Sequence, residues 1–291
     1  MNSWEAIAAS IARATGHPFA RARATAAGGG SINQGYRLTD GSRAFHVKLN
    51  RPGLGAMFEA EAQGLAALAA TGTIRVPRPV CWGDDGNASW LVLEHLSLHP
   101  GDDRAMAALG RALAALHARH GERFGWPRDN TIGSTLQRNG WSDHWVAFFR
   151  DQRLAFQLEL ARANGHALAR GDTLLSHLDR LLGGHEPRPS LLHGDLWSGN
   201  AGFTDGDEPV IWDPACYYGD READLAMTEL FGGFGPAFHA AYREVAPLAP
   251  GYAVRRELYN LYHVLNHLNL FGGGYLRQAG SMIDRLLSEI R

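Results

Sequence analysis

From Met1 to Ile11 the apolar positions recur at three- and four-residue spacing, which predicts a short amphipathic helix. Ala44-Phe45-His46-Val47-Lys48-Leu49 alternates apolar and polar positions and predicts a strand. Helical rhythm returns from Met57 to Leu68, where Phe58, Leu65 and Leu68 mark a buried stripe. Val76-Pro77-Arg78-Pro79-Val80 then leads into the strand-like run Trp90-Leu91-Val92-Leu93-Glu94. Residues 1–94 therefore read as a small lobe, an antiparallel sheet with one key helix. Beyond Leu96 the pattern turns helical: Asp103 to His117 with Met106, Leu109, Leu113 and Leu116 on one face, then Trp145 to Leu160, Thr173 to Leu182, and a long stretch from Val254. Two strand-like runs around Asp195 interrupt this larger, mainly helical lobe, residues 95–291. The expectation is a bilobal α+β fold, and the length suffices for two modest cores.

The runs around Asp195 carry the chemistry. Leu191-Leu192-His193-Gly194-Asp195-Leu196-Trp197-Ser198-Gly199-Asn200 has the form H-x-D-x-x-x-x-N, and Asp213 follows Asn200 by thirteen residues. This register suits phosphoryl transfer. Asp195 is placed to accept the proton of an attacking hydroxyl, while Asn200 and Asp213 offer hard oxygen ligands to a Mg²⁺ ion on ATP. Independently, Lys48 is the only lysine among 28 basic residues. A compact ammonium between phosphate oxygens is not replaceable by a planar guanidinium, so Lys48 is the candidate for the α/β-phosphates. Glu61, thirteen residues on and on the buried stripe, is the candidate partner for Lys48, and Glu59 a solvated helix charge. Upstream, Gly29, Gly30, Ser31, Ile32 and Asn33 lie in a Gly-rich turn whose N–H groups can close on phosphates. Such a turn is weak evidence alone. It is not G-x-G-x-x-G, since Asn33 stands where the last Gly belongs, nor a Walker loop, since Tyr36 follows Gly35. At the joint of the lobes, Glu94 and Leu96 are expected to offer backbone groups to the adenine.

Composition narrows the alternatives. A formal net charge of −2 and no Lys/Arg-rich stripe argue against a nucleic-acid partner. Cys81 and Cys216 form no C-x-x-C pair, so neither a disulfide framework nor a zinc site is expected. His263 and His267 stand at i, i+4 without a third ligand, which leaves zinc there improbable. The N-terminus lacks a basic n-region and no apolar run reaches membrane-spanning length, so a cytoplasmic monomer without a membrane partner is expected. A pseudokinase would be expected to lose one of Lys48, Asp195, Asn200 or Asp213, and all four are present. Asp213 is followed by Pro214-Ala215 and not Phe-Gly, which disfavours a eukaryotic-type protein kinase.

With these residues in hand, the chain resembles the fructosamine/ketosamine kinase family, a relative of the aminoglycoside and choline kinases with a protein-kinase-like fold. The resemblance covers nearly the whole chain. It rests on Gly30-Ser31-Ile32-Asn33, Met57-Phe58-x-x-Glu61, Val76-Pro77-Arg78-Pro79, the His193–Asn200 run with Trp197, Asp213 to Met227, Leu230-Phe231-Gly232-Gly233-Phe234 and Leu265-Asn266-His267. The resemblance implies ATP-dependent phosphorylation of the 3-hydroxyl of a ketosamine, as a small molecule or on a glycated protein lysine, after which the adduct falls off: a deglycation or repair activity. Bacterial relatives often favour ribulosamines and erythrulosamines. Trp197, Asn266 and His267 are then the candidates for holding the sugar. Ser31 stands where some members carry a cysteine, so redox control through that loop is not supported. An aminoglycoside-, choline- or homoserine-type kinase is the rival within the same chemistry. Asp224 and Arg221 are read as scaffold, Asp220 and Glu222 as charges favouring a helix N-terminus, and His193 as orienting the loop through a hydrogen bond.

Overall fold

The computed structural model describes residues 3–28 and 32–290. In chain order the elements begin with α1 (Ser3–Thr15), β1 (Arg23–Ala26), β2 (Gln34–Thr39), β3 (Ala44–Asn50), α2 (Gly55–Ala70), β4 (Pro79–Asp84) and β5 (Ser89–Glu94). There follow α3 (Asp103–His117), β6 (Asn130–Ile132), β7 (Thr135–Gln137), α4 (Trp145–Phe148), a π-helical segment (Phe149–Ala155), α5 (Phe156–Ala163), α6 (Gly171–Leu175) and α7 (Leu178–Leu181). The rest comprises β8 (Ser190–Leu192), β9 (Ala201–Phe203), β10 (Pro209–Ile211), β11 (Tyr217–Gly219), α8 (Glu222–Leu230), α9 (Pro236–Val245), α10 (Tyr252–Phe271) and α11 (Leu276–Ser288). None of these helices is long and apolar enough to cross a membrane.

Two compact units emerge, residues 1–101 with 202–213, and residues 102–201 with 214–291. The expected division at residues 94/95 thus needs two corrections. The boundary lies further on, and segment 202–213 folds with the first unit because backbone bonds fasten it there: His99 N–H donates to Phe203 O (2.9 Å) and Ile211 N–H to Arg75 O (3.1 Å).

The first unit is built on the five-stranded sheet β1-β2-β3-β5-β4, antiparallel at every pairing. Alternation along β3 sends Phe45 and Val47 to one face, where they bury with Ile7 and Ile11 of α1, Phe19, Leu38, Trp90 and Val92. Each fully buried Ile contributes on the order of 2 kcal/mol, so the N-terminal helix is a structural part of this unit. Lys48 is left on the opposite face, with Gly35 and Leu91 as its register partners.

The second unit is mainly helical. Asp102 caps α3 by accepting from Ala105 N–H (2.8 Å), and Leu109, Leu113 and Leu116 are buried as the spacing predicts. Three features depart from the expected pattern. The helix over 145–160 is interrupted by the π-helical segment, where Arg153 turns inward and stacks on Phe148 and Tyr217. The stretch 173–182 breaks into α6 and α7 at Ser176-His177. The β6–β7 hairpin was not foreseen, since its inward residues Asn130 and Gln137 are polar and carry no apolar alternation.

Candidate active site

In the first unit, Lys48 of β3 donates to Glu61 Oε1 of α2 at 2.5 Å, and its ammonium also meets Asp213 Oδ1. Glu61 is held inward because it shares the α2 face with the buried Phe58, Leu65 and Leu68. Asp213 has a left-handed backbone (φ +58°), which a non-glycine residue adopts at a cost of about 1–3 kcal/mol, and such strain concentrates at functional positions. Its Oδ1 is buried, and besides Lys48 no donor reaches it among the described residues. One ammonium between two carboxylates leaves a formal excess of negative charge. Such a group fits a divalent cation, which prefers hard oxygen donors.

The Gly-rich turn joins β1 to β2. Gly29, Gly30 and Ser31 lie outside the described residues. Of the others, Ile32 offers its carbonyl and Asn33 its Oδ1 to Asn50 Nδ2, at 3.1 and 2.7 Å. Asn50, at the end of β3, thereby ties the turn to the strand that carries Lys48. Sequence reasoning passed over Asn50, although a polar residue two positions past Lys48 in an alternating strand was the available signal. The N–H of Glu94 donates to Arg78 O (2.8 Å), and its carboxylate pairs with Arg75 (3.0 Å). Leu96, by contrast, enters no backbone hydrogen bond among the described residues and keeps both groups free.

In the second unit, the loop after β8 is fixed from behind by Asp224 of α8. The carboxylate of Asp224 accepts from His193 N–H (2.7 Å) and Gly194 N–H (2.8 Å). His117, the last residue of α3, bridges Asp224 (3.1 Å) and the Tyr242 hydroxyl (2.8 Å). Burial works to raise the Asp224 carboxyl, but His117, His193 and the Gly194 N–H outweigh it, and the net direction is down. His117 was missed. Its signal was a polar residue four positions past Leu113 on an otherwise apolar stripe. Gly194 has φ +83°, and a Cβ there would stand 2.1 Å from Ala215 O, so only glycine fits this crossing.

Asp195 follows directly. Its N–H donates to His193 Nδ1 (3.3 Å), and its carbonyl accepts from Asn200 Nδ2 (2.9 Å), which orients the Asn200 amide and leaves its Oδ1 free as a ligand. Burial, with the Asp224 charge second, pushes the Asp195 carboxyl up to about 7. A carboxyl poised there can gain and lose a proton near neutrality, as a general base must. Farther back, Asn130 donates to Cys216 O (2.9 Å) and Gln137 to Ala215 O (3.0 Å), so the unforeseen hairpin braces the strand beside the loop.

The candidates for holding a substrate divide. Trp197 stands 39% exposed and lays its indole across Gly199, where any Cβ would clash with the ring. His267 is half-buried, with Nδ1 donating to His263 O at 2.8 Å. Asn266 corrects an expectation. It is buried, its Oδ1 accepts from Gln157 (3.2 Å) and its amide donates to Ile132 O (3.4 Å), so its hydrogen-bonding capacity is turned into the helical packing. Asp220 and Glu222 do more than favour a helix N-terminus. Both are buried: Asp220 accepts from Tyr259 and His185, each at 2.6 Å, and Glu222 forms a forked pair with Arg255. With His185 they form a close group of three potential metal-binding side chains, and these bonds already engage it.

The family model described as fructosamine kinase matches residues 3–289. A probable ketoamine kinase of Synechocystis sp. is 50% identical over 285 residues, covering 98% of this chain and 97% of the relative. The chloroplastic protein-ribulosamine 3-kinase of Arabidopsis thaliana is 44% identical over 270 residues, 91% of this chain and 82% of the plant protein. A Haemophilus somnus crystal structure with a provisional fructosamine-3-kinase name superposes with a TM-score of 0.92 at 31% identity, covering 98% and 97% of the two chains. A thermostable mutant of aminoglycoside phosphotransferase APH(4)-Ia, at 16% identity and a TM-score of 0.61 over 97% of this chain and 98% of its own, shares the kinase-like α+β fold alone.

Proposed function

This chain belongs to the fructosamine kinase family and is a phosphotransferase, and from that premise we propose that it carries the γ-phosphoryl group of ATP to the 3-hydroxyl of a ketosamine. The observation that carries the reading is Asp195, a carboxyl raised to about 7 on a loop clamped by Asp224. The names of the relatives, ketoamine kinase and ribulosamine 3-kinase, support a ketosamine acceptor, whether a ribulosamine, an erythrulosamine or a fructosamine.

Each residue has a part in this mechanism. Lys48, positioned by Glu61, binds the α/β-phosphates, and the turn tied down by Asn50 closes over them. Leu96 offers its free N–H and C=O to the adenine. Asn200 and Asp213 would hold Mg²⁺, which neutralises charge on the phosphates when bound. Asp195 accepts the proton of the 3-hydroxyl as that oxygen bonds to the γ-phosphorus, and the bond from phosphorus to the β,γ-bridging oxygen breaks to release ADP. Trp197 and His267 hold the sugar, and orientation supplies much of the rate. Release of the phosphorylated sugar from a protein lysine would make the activity a repair reaction. We place the enzyme in the cytoplasm as a monomer, where Cys81 and Cys216 stay free.

The test is a Mg-ATP assay across ribulosamine, erythrulosamine, fructosamine, choline and aminoglycoside acceptors. Turnover of the ketosamines is the expected outcome. Phosphorylation of choline or an aminoglycoside with none of a ketosamine would overturn the acceptor and leave the kinase standing.

A further inference from the structure

Among the described residues, Trp82, Trp141, Trp197, Phe231 and Phe271 are the exposed large aromatic side chains. Two of them close on one residue. The ring of His267 lies 5.0 Å from that of Phe231, 5.4 Å from Phe271 and 5.2 Å from Tyr275, centroid to centroid. These rings come from the loop after α8, the end of α10 and the turn before α11, so three separate parts of the chain converge on His267.

His267 is fixed as a hydrogen-bond acceptor. Its Nδ1 lies 2.8 Å from the carbonyl of His263, which can only accept, so Nδ1 carries the proton and Nε2 presents a lone pair. Burial holds the ring below its ordinary pKa, which keeps it neutral at pH 7. The cluster is also joined to the catalytic loop. Gly233 (φ +95°), two residues past Phe231, packs so closely on Ser198 that a Cβ would stand 2.3 Å from the serine Cβ. Ser198 lies three residues beyond Asp195.

Three aromatic rings tilted at 52–55° to the imidazole, beside one ring-nitrogen lone pair, bring together the groups that bind a cation with an N–H to give. A ketosamine carries such a group: the nitrogen on its C1 is a secondary ammonium at neutral pH, separated from the 3-hydroxyl oxygen only by C1, C2 and C3. We infer that Phe231, Phe271 and Tyr275 form with His267 the subsite for the ammonium of the acceptor, the rings facing the charge and Nε2 accepting its N–H. This inference rests on the ketosamine reading above. Because Phe231 and Phe271 are 43% and 49% exposed, the substituent beyond the nitrogen runs into solvent, and the subsite accepts a lysine side chain of a protein as readily as a small amine.

The experiment compares an N-butyl ribulosamine with its isosteric ether, in which oxygen replaces the amine nitrogen, as acceptors for wild type, the double variant Phe231→Leu/Phe271→Leu and the double variant Phe231→Tyr/Phe271→Tyr. Leucine keeps the apolar bulk and removes the π face, whereas tyrosine keeps both. For the amine, the leucine variant should raise KM about tenfold with kcat changed less than about twofold, the size of a partly desolvated cation–π contact. The tyrosine variant should restore KM, and the ether should show no difference among the three proteins. An unchanged KM for the amine, or an equal rise for amine and ether, overturns the subsite while ribulosamine turnover by wild type keeps the acceptor reading. Failure of wild type to phosphorylate either compound overturns both.

Discussion

The nucleotide-side residues and the catalytic loop are held by opposite means. In the first unit Lys48 meets Glu61 and Asp213 through side chains alone, with one carboxylate oxygen lacking any further donor and a strained backbone at Asp213. In the second, the N–H groups of His193 and Gly194 just before Asp195 donate to Asp224, the N–H and carbonyl of Asp195 itself are engaged, and glycine at 194 allows a crossing no other residue permits. The first arrangement has charges that can be re-paired when phosphates and a cation arrive. The second has little left to rearrange, and on the proposed mechanism it would present its base ready placed, as preorganised catalysis requires. Substitutions in the two places should therefore fail in different ways.

The largest effect is expected at Asp195. Asp195→Asn should lower turnover by about 10²–10⁴ while leaving nucleotide affinity nearly unchanged, measured by steady-state kinetics and ATP titration. Turnover within about tenfold of wild type would remove Asp195 from the role of base. On the nucleotide side, Lys48→Arg keeps the charge but not the fit, and should cost about 10²-fold in kcat/KM for ATP, because misplacement by an ångström has that effect. Normal ATP kinetics in this variant would show that the lone lysine is dispensable.

Asp224→Asn sharpens the contrast, because it attacks the frame and not the reacting group. Loss of a buried, multiply bonded carboxylate should destabilise the protein by about 3 kcal/mol in urea unfolding. It should also change the pH profile. The wild-type kcat/KM should rise with pH through about 7 as Asp195 loses its proton, and fall tenfold per unit on the acid side. Without the neighbouring charge of Asp224 the Asp195 carboxyl falls, so the acid limb moves to lower pH, and only partly, since burial is the larger cause. A limb that stays in place would separate Asp224 from the titration of Asp195. The smallest effect is expected at Trp197→Ala, about tenfold in ketosamine turnover with background ATP hydrolysis little changed, since the indole orients only the acceptor.

The same contrast explains what was legible in the sequence. Lys48, Glu61, Asp195, Asn200 and Asp213 stand out because residue type and spacing follow the pattern of the proposed chemistry. The supporting residues do not. Asn130 and Gln137 bond to backbone carbonyls more than 70 positions away, and His117 reaches Asp224 across 107. Spacing along the chain says nothing of such pairs, and burial of a polar side chain becomes visible only when the partners are brought together. Asn266 was misread for the same reason: beside His267 in sequence, it points into the packing between α10 and the rest of the helical unit. The departure of segment 202–213 from its sequence neighbours also depended on distant backbone bonds.

The central claim is that Asp195 directs the phosphoryl group to one particular hydroxyl. It is tested most directly by ¹H–³¹P correlation NMR on the product of a Mg-ATP reaction with ribulosamine, with the 3-deoxy analogue run beside it. The expected result is a single cross-peak from phosphorus to the proton on C3, and no phosphorylated product from the analogue. Coupling to a proton on any other carbon, or turnover of the 3-deoxy compound, would contradict it.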